Sequence, residues 1–96
     1  MKIDNPMHPG QFIKEVYLDE LEVSANEVAK LLNVSTSTLT RLMKGDSHVT
    51  PEMALRLSKT LGRTPESWLL MQDQYSLMIA EKNLDIERVQ VLQYSV

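Results

Sequence analysis

The sequence contains no cysteine. That excludes a disulfide framework and a thiolate zinc site, and nothing in it points to an oxidising compartment. Glycine is scarce at three residues, too few for a phosphate-cradling loop, and no G-x-S-x-G elbow or H-E-x-x-H pair occurs. The carboxylates fall mainly in acidic segments, where helix caps and solvated faces account for them, so no enzymatic role is expected. His8 and His48 are the two histidines, and neither has a partner at ligand spacing. No metal, cofactor or small-molecule substrate is therefore expected. The longest unbroken apolar runs are the four-residue stretches Trp68 to Met71 and Leu77 to Ala80, and the opening MKIDNPMHPG has no apolar signal-peptide core. A membrane span and an exported leader are both unexpected, which leaves a cytoplasmic protein. At 96 residues the chain makes one domain, small enough for a second subunit to help cover its apolar surface.

The organising stretch is Ser24 to Gly45, SANEVAKLLNVSTSTLTRLMKG. Ser24 with Glu27 forms a capping box, starting a helix at Ala25. Val28, Ala29, Leu31 and Leu32 follow at helical spacing, and Asn33-Val34 stops the helix, because asparagine tolerates the left-handed conformation. Ser35 caps a second helix over Thr36–Lys44, closed by Gly45. Leu39, Leu42 and Met43 lie on one side, and Thr36, Ser37, Thr40 and Arg41 on the other. Two helices joined by so short a turn cross steeply, and Ala29 is the small residue expected at the crossing. The pattern is that of a helix-turn-helix, and proteins of this kind place the second such helix in the DNA major groove. No acidic side chain lies between Ser35 and Gly45 to repel phosphate. Thr36, Ser37, Thr40 and Arg41 are expected at base edges, and Ser35, Thr38 and Lys44 at phosphates.

Charge distribution qualifies the overall net of −3, which argues against a polyanion partner. Residues 1–23 and 64–96 each carry −3. Between Ser24 and Arg63 the cations Lys30, Arg41, Lys44, Arg56, Lys59 and Arg63 outnumber Glu27, Asp46 and Glu52 by three. Screening over about 8 to 10 Å lets the local sign govern close contact. The alternative is a set of charges scattered over a solvated surface.

Residues 1–8 read as a flexible N-terminal arm, residues 9–83 as the helical domain and residues 84–96 as a tail for dimerisation or a partner. A first helix is expected over Gln11 to about Leu18, with Phe12, Ile13, Val16 and Tyr17 on its apolar stripe. Thr50-Pro51-Glu52 opens a fourth helix with Met53, Ala54, Leu57 and Leu61 inward, and Thr64-Pro65-Glu66 opens a fifth that runs to about Asn83. The fifth is apolar over a wide arc. Trp68, Leu70, Met71, Tyr75 and Met78 are its candidates for a homodimer interface, although Trp68 also reads as a core anchor. Ile86, Val89, Val91, Leu92, Tyr94 and Val96 enrich the tail in β-branched and apolar residues, which allows a short extended segment.

Glu27-Val28-Ala29, Asn33-Val34-Ser35, Thr38 to Leu42 and Gly45 resemble the phage-repressor-like (XRE) helix-turn-helix family. His8-Pro9-Gly10, Thr50 to Ala54, Trp68-Leu69, Gln72 and Tyr75 are similar to its HigA/VapI group of bacterial antitoxins. Asn33 stands where that family often has glycine, and Val16 and Leu70 stand where it has acidic or polar residues. The resemblance implies an all-α, five-helix, lambda-repressor-like fold. It also implies that Ser47, His48 and Thr50 approach the DNA backbone. Its functional content is a repressor of a palindromic double-stranded operator that also neutralises a small basic RelE-like ribonuclease toxin and autoregulates its operon. An orphan regulator without a toxin, and a helical adaptor that has lost DNA binding, are the other readings.

Overall fold

The computed structural model describes residues 5–93 and is all-α, with five helices in that range. α1 begins at Pro9–Phe12 and continues as a π-helix over Ile13–Asp19. α2 is Ala25–Leu32, α3 Thr36–Met43, α4 Pro51–Leu61 and α5 Pro65–Asn83. Each starts on a side-chain cap: His8, Ser24, Ser35, Thr50 and Thr64 accept from Gly10, Glu27, Thr38, Met53 and Ser67 amides respectively. Such caps satisfy donors that the helix itself leaves orphaned. Proline occupies the first position of α1, α4 and α5, where its missing N–H costs nothing.

The core is one cluster: Ile13, Leu18, Val28, Ala29, Leu32, Leu39, Leu42, Val49, Ala54, Leu57 and Trp68. Ala29 is buried. Trp68 is fully buried and its indole N–H donates to the Gly62 carbonyl at 2.9 Å. Phe12 and Tyr17 pack around it, and the Arg63 guanidinium lies 5.2 Å from the Phe12 ring centroid and 5.8 Å from that of Trp68.

Three expectations change. The first helix starts at Pro9 rather than Gln11, and its π geometry buries Ile13 and Leu18, five residues apart, while Val16 turns outward. An α-helical stripe would have put Val16 inside. His8 does not belong to an N-terminal arm: it is buried, and its ring ties three elements together. Its Nδ1 accepts from the Gly10 amide at 2.8 Å, its Nε2 donates to the Ser47 carbonyl at 3.1 Å, and Tyr75 of α5 packs on it edge-on at 4.9 Å. In the tail, a 3₁₀ turn over Ile86–Arg88 is followed by irregular chain to residue 93, and the described residues include no strand. Tyr94 and Val96 lie outside the described residues.

Gly10 brings α1 onto α3. A Cβ there would overlap the Leu42 carbonyl oxygen and stand 2.9 Å from Met43 Cα, both backbone atoms that cannot swing aside. Gly10→Ala should therefore force the helices apart at a cost of about 1 to 3 kcal/mol, read as a lower Tm. An unchanged Tm would mean that this contact is slack.

The His8 ring must be neutral to accept from Gly10, and burial pushes its pKa below the ordinary 6.5, with the Ser47 carbonyl partly opposing and His48 adding a small repulsion. The native state thus binds fewer protons than the unfolded chain, so the contribution is fully present above 6.5 and is lost as pH falls toward the lowered native value. Tm should decline on acidification through that window. His8→Gln should lower Tm overall and flatten this part of the slope; an equally steep slope in the variant would assign it to other groups.

Candidate nucleic-acid interface

The helix-turn-helix depends on how α2 ends. Asn33 adopts φ 58 and ψ 46, the left-handed cap, and the Val34 amide reaches back to the Ala29 carbonyl at 3.0 Å. Arg56 of α4 then donates through Nη1 to the Leu32 carbonyl at 2.8 Å and the Asn33 carbonyl at 3.1 Å. A cation on the negative end of α2 satisfies carbonyls that the helix cannot. Arg56, counted above in the basic middle segment, is thus tied into the fold, whereas Arg63 is exposed with its guanidinium stacked against Phe12 and Trp68. Arg56 was not legible as a cap, because its partners lie 23 and 24 residues away.

α3 turns Leu39 and Leu42 inward and leaves Thr36, Ser37, Arg41 and Lys44 exposed, with Thr38 and Thr40 half-buried. Lys44 is the C-cap residue rather than part of the helix. Arg41 and Lys44 have no ion pair or side-chain hydrogen bond among the described residues, so both charges are available to a ligand. The hydroxyls at the start of α3 are partly committed: Ser35 caps Thr38 at 3.1 Å and lies 2.8 Å from Thr38 Oγ1 and 3.4 Å from Ser37 Oγ.

The loop after α3 is gripped from two sides. His8 holds the Ser47 carbonyl, and the buried Gln72 of α5 accepts the Val49 amide at 2.8 Å while donating to Ser76 Oγ at 3.1 Å. His48, between the two grips, is exposed. The structure thereby brings Thr38, Arg41, Ser47, His48 and Thr50 around one groove of about 230 Å³ between α3 and α4. Thr36, Ser37 and Lys44 are not in that groove's lining. Glu52 also lines it, with Arg56 3.8 Å away. Neither His8 nor Gln72 was assigned this positioning role from sequence, because both act through backbone atoms of a distant loop.

The interface candidates of α5 separate on burial. Trp68 is withdrawn from that set, since its ring is wholly inside the core. Met71 is half-buried against the core and Tyr75 half-buried against His8. Leu70 is 57% exposed, Leu77 is 61% exposed, and Met78 is half-buried. Among the described residues no helix is long and apolar enough to cross a membrane, and no cluster of metal-ligating side chains occurs.

Comparison with known proteins agrees with this geometry. A helix-turn-helix family profile matches residues 13–69, more than half of the chain. The uncharacterised HTH-type transcriptional regulator YddM of Escherichia coli K12 is 44% identical over 92 residues, covering 96% of this chain and 97% of its own. An addiction module antidote protein of the HigA family from Coxiella burnetii superposes with a TM-score of 0.84 at 36% identity, over 97% of this chain and all of that one. The antitoxin GraA in complex with its operator gives 0.83 at 35%, over 98% and 97%. With matches of this extent, in a DNA-binding rather than an enzyme family, the chain belongs to the phage-repressor-like helix-turn-helix proteins, in their HigA-like group.

Proposed function

We propose that this chain is a sequence-specific repressor that binds a palindromic operator as a homodimer and serves as the antitoxin of a type II toxin–antitoxin pair. In this reading it neutralises a small basic RelE-like ribonuclease and represses the promoter of the pair, in the cytoplasm. The observation that carries DNA binding is the exposed face of α3, where Arg41 and Lys44 stand unpaired beside a loop fixed by His8 and Gln72. Thr36, Ser37, Thr40 and Arg41 would meet base edges; Ser35, Thr38, Lys44, Ser47, His48 and Thr50 would meet phosphates. The likeness to GraA bound to its operator supports this use of the surface. The acidic segments on either side suit a basic protein partner, and the likeness to a HigA-family antidote protein supports an antitoxin role. An orphan regulator without a toxin is the second reading. A short basic reading frame beside the gene selects the first, and its absence the second.

Dimerisation is supported by the outward apolar side of α5, where Leu70 and Leu77 are exposed, and by the exposed Leu84 and Ile86 beyond it. A two-fold protein reads two half-sites about one helical turn apart, the second at a high effective concentration. Leu70→Asp or Met78→Asp would bury a carboxylate in any dimer that formed, a cost of several kcal/mol. Light scattering and operator binding should fall together with helicity retained; a monomer that still binds its operator tightly as a single copy would overturn the dimer.

Specificity divides the two free cations. If Arg41 reads guanine by a bidentate contact, Arg41→Ala should cost about 1 to 3 kcal/mol on the operator and relax one base position. Lys44→Ala should weaken operator and scrambled duplex alike. Equal losses on both duplexes for Arg41→Ala would make that residue a phosphate contact.

A further inference from the structure

The sequence does not mark Asn26, yet its side chain is joined to the first residue of the recognition helix. The Thr36 hydroxyl donates to Asn26 Oδ1 at 2.7 Å, across the interval between α2 and α3. Resting on the DNA-binding reading above, we infer that Asn26 is a specificity-setting residue: by accepting the hydrogen bond of the Thr36 hydroxyl it leaves that hydroxyl only its lone pairs, an acceptor alone, at the base edge.

A threonine hydroxyl has one proton and two lone pairs. Left to rotate, it can pair with a donor or an acceptor, which is why serine and threonine contact any base. Here the proton has a fixed destination. The 2.7 Å separation is at the short end for O–H···O, and Asn26 sits one residue into a helix held by the Ser24 cap. No neighbouring hydroxyl competes, since Ser35, Ser37 and Thr38 are engaged with one another. Both Asn26 and Thr36 are exposed, so the pair faces solvent in the free protein. In the major groove the exocyclic amino groups of adenine and cytosine are donors, whereas guanine and thymine offer acceptors there. Thr36 therefore favours adenine or cytosine at one position of the contacted strand and disfavours guanine and thymine. Asn26 acts through Thr36 and is a positioning residue.

The test uses the full chain and a randomised duplex pool, followed by affinities for every single-base variant of the selected duplex. Wild type should favour adenine or cytosine at one position about three- to tenfold, the effect of one neutral hydrogen bond. Thr36→Val should erase that preference. Asn26→Ala should erase it at the same position while other positions keep theirs, because the hydroxyl is free to rotate. Asn26→Asp offers only acceptor oxygens, so it should weaken binding to all duplexes through its charge yet preserve the preference. Circular dichroism confirms that the exposed substitutions leave the fold intact. An undiminished preference in Asn26→Ala overturns the inference, and so does a loss spread equally over all duplexes, which is the signature of a phosphate contact. Loss of the preference in Asn26→Asp also overturns it, since that outcome requires the asparagine nitrogen to be the partner. A wild-type protein that selects no sequence overturns the DNA-binding reading itself, a result distinct from these.

Discussion

The contact on which the placement of α3 depends is the approach of the α1 backbone at Gly10 to the Leu42 carbonyl, at the C-terminal end of α3. Only a residue without a Cβ permits it, and the residues on either side make it stable. His8 caps the same helix start through the Gly10 amide, and Pro9 supplies the preset φ of the first helical position. Three consecutive residues thus perform three separate tasks, and together they seat α1 against the far end of α3. The His8 ring then continues past α1 to the Ser47 carbonyl, so the helix contact and the loop contact share one side chain.

That shared side chain explains how a loop without secondary structure of its own can hold a defined shape. Backbone polar groups in a loop need partners when water is excluded. The Ser47 carbonyl finds His8 and the Val49 amide finds Gln72, both through buried side chains. His48 is left between two fixed peptide groups with its own side chain outward. Positioning the loop therefore draws on α1 and α5, the elements furthest in sequence from each other. A loop held in this way loses little conformational entropy when a ligand engages it.

The helix-turn-helix was legible in the sequence because its punctuation is local. Ser24, Asn33, Ser35 and Gly45 act on amides and carbonyls within a few residues, and each sits where the cap it forms requires. The first helix was less legible: the apolar stripe read at 3.6 residues per turn took in Val16, whereas the interval between Ile13 and Leu18 is a π spacing that leaves Val16 exposed. Arg56, Gln72 and His8 escaped for a different reason. Their roles are hydrogen bonds to backbone atoms 23 to 39 positions away, and no pattern in the chain announces such a partner. Trp68 could be read either way, since an apolar arc marks burial without saying whether the cover comes from the same chain. The structure decides it, with Phe12, Tyr17 and the Arg63 guanidinium closing over the ring.

The same question of cover remains for the rest of α5, and the dimensions of the chain bear on it. A compact domain of this length has a radius of gyration of about 12 to 13 Å. The observed value is 16.7 Å, with a long axis of 58 Å against 25 and 24 Å across. The excess comes from the C-terminal half of α5 and the tail, which run beyond the core: from Ile79 to residue 93 every residue is exposed, including Leu84, Ile86, Val89, Val91 and Leu92. A helix half and tail of this composition have too few neighbours in their own chain to bury them. Single exposed apolar residues need no explanation, but a contiguous run does. Its burial against a second copy would offset the cost of ordering the tail and would hold two recognition helices at a fixed separation. That is the requirement imposed by an operator with two half-sites.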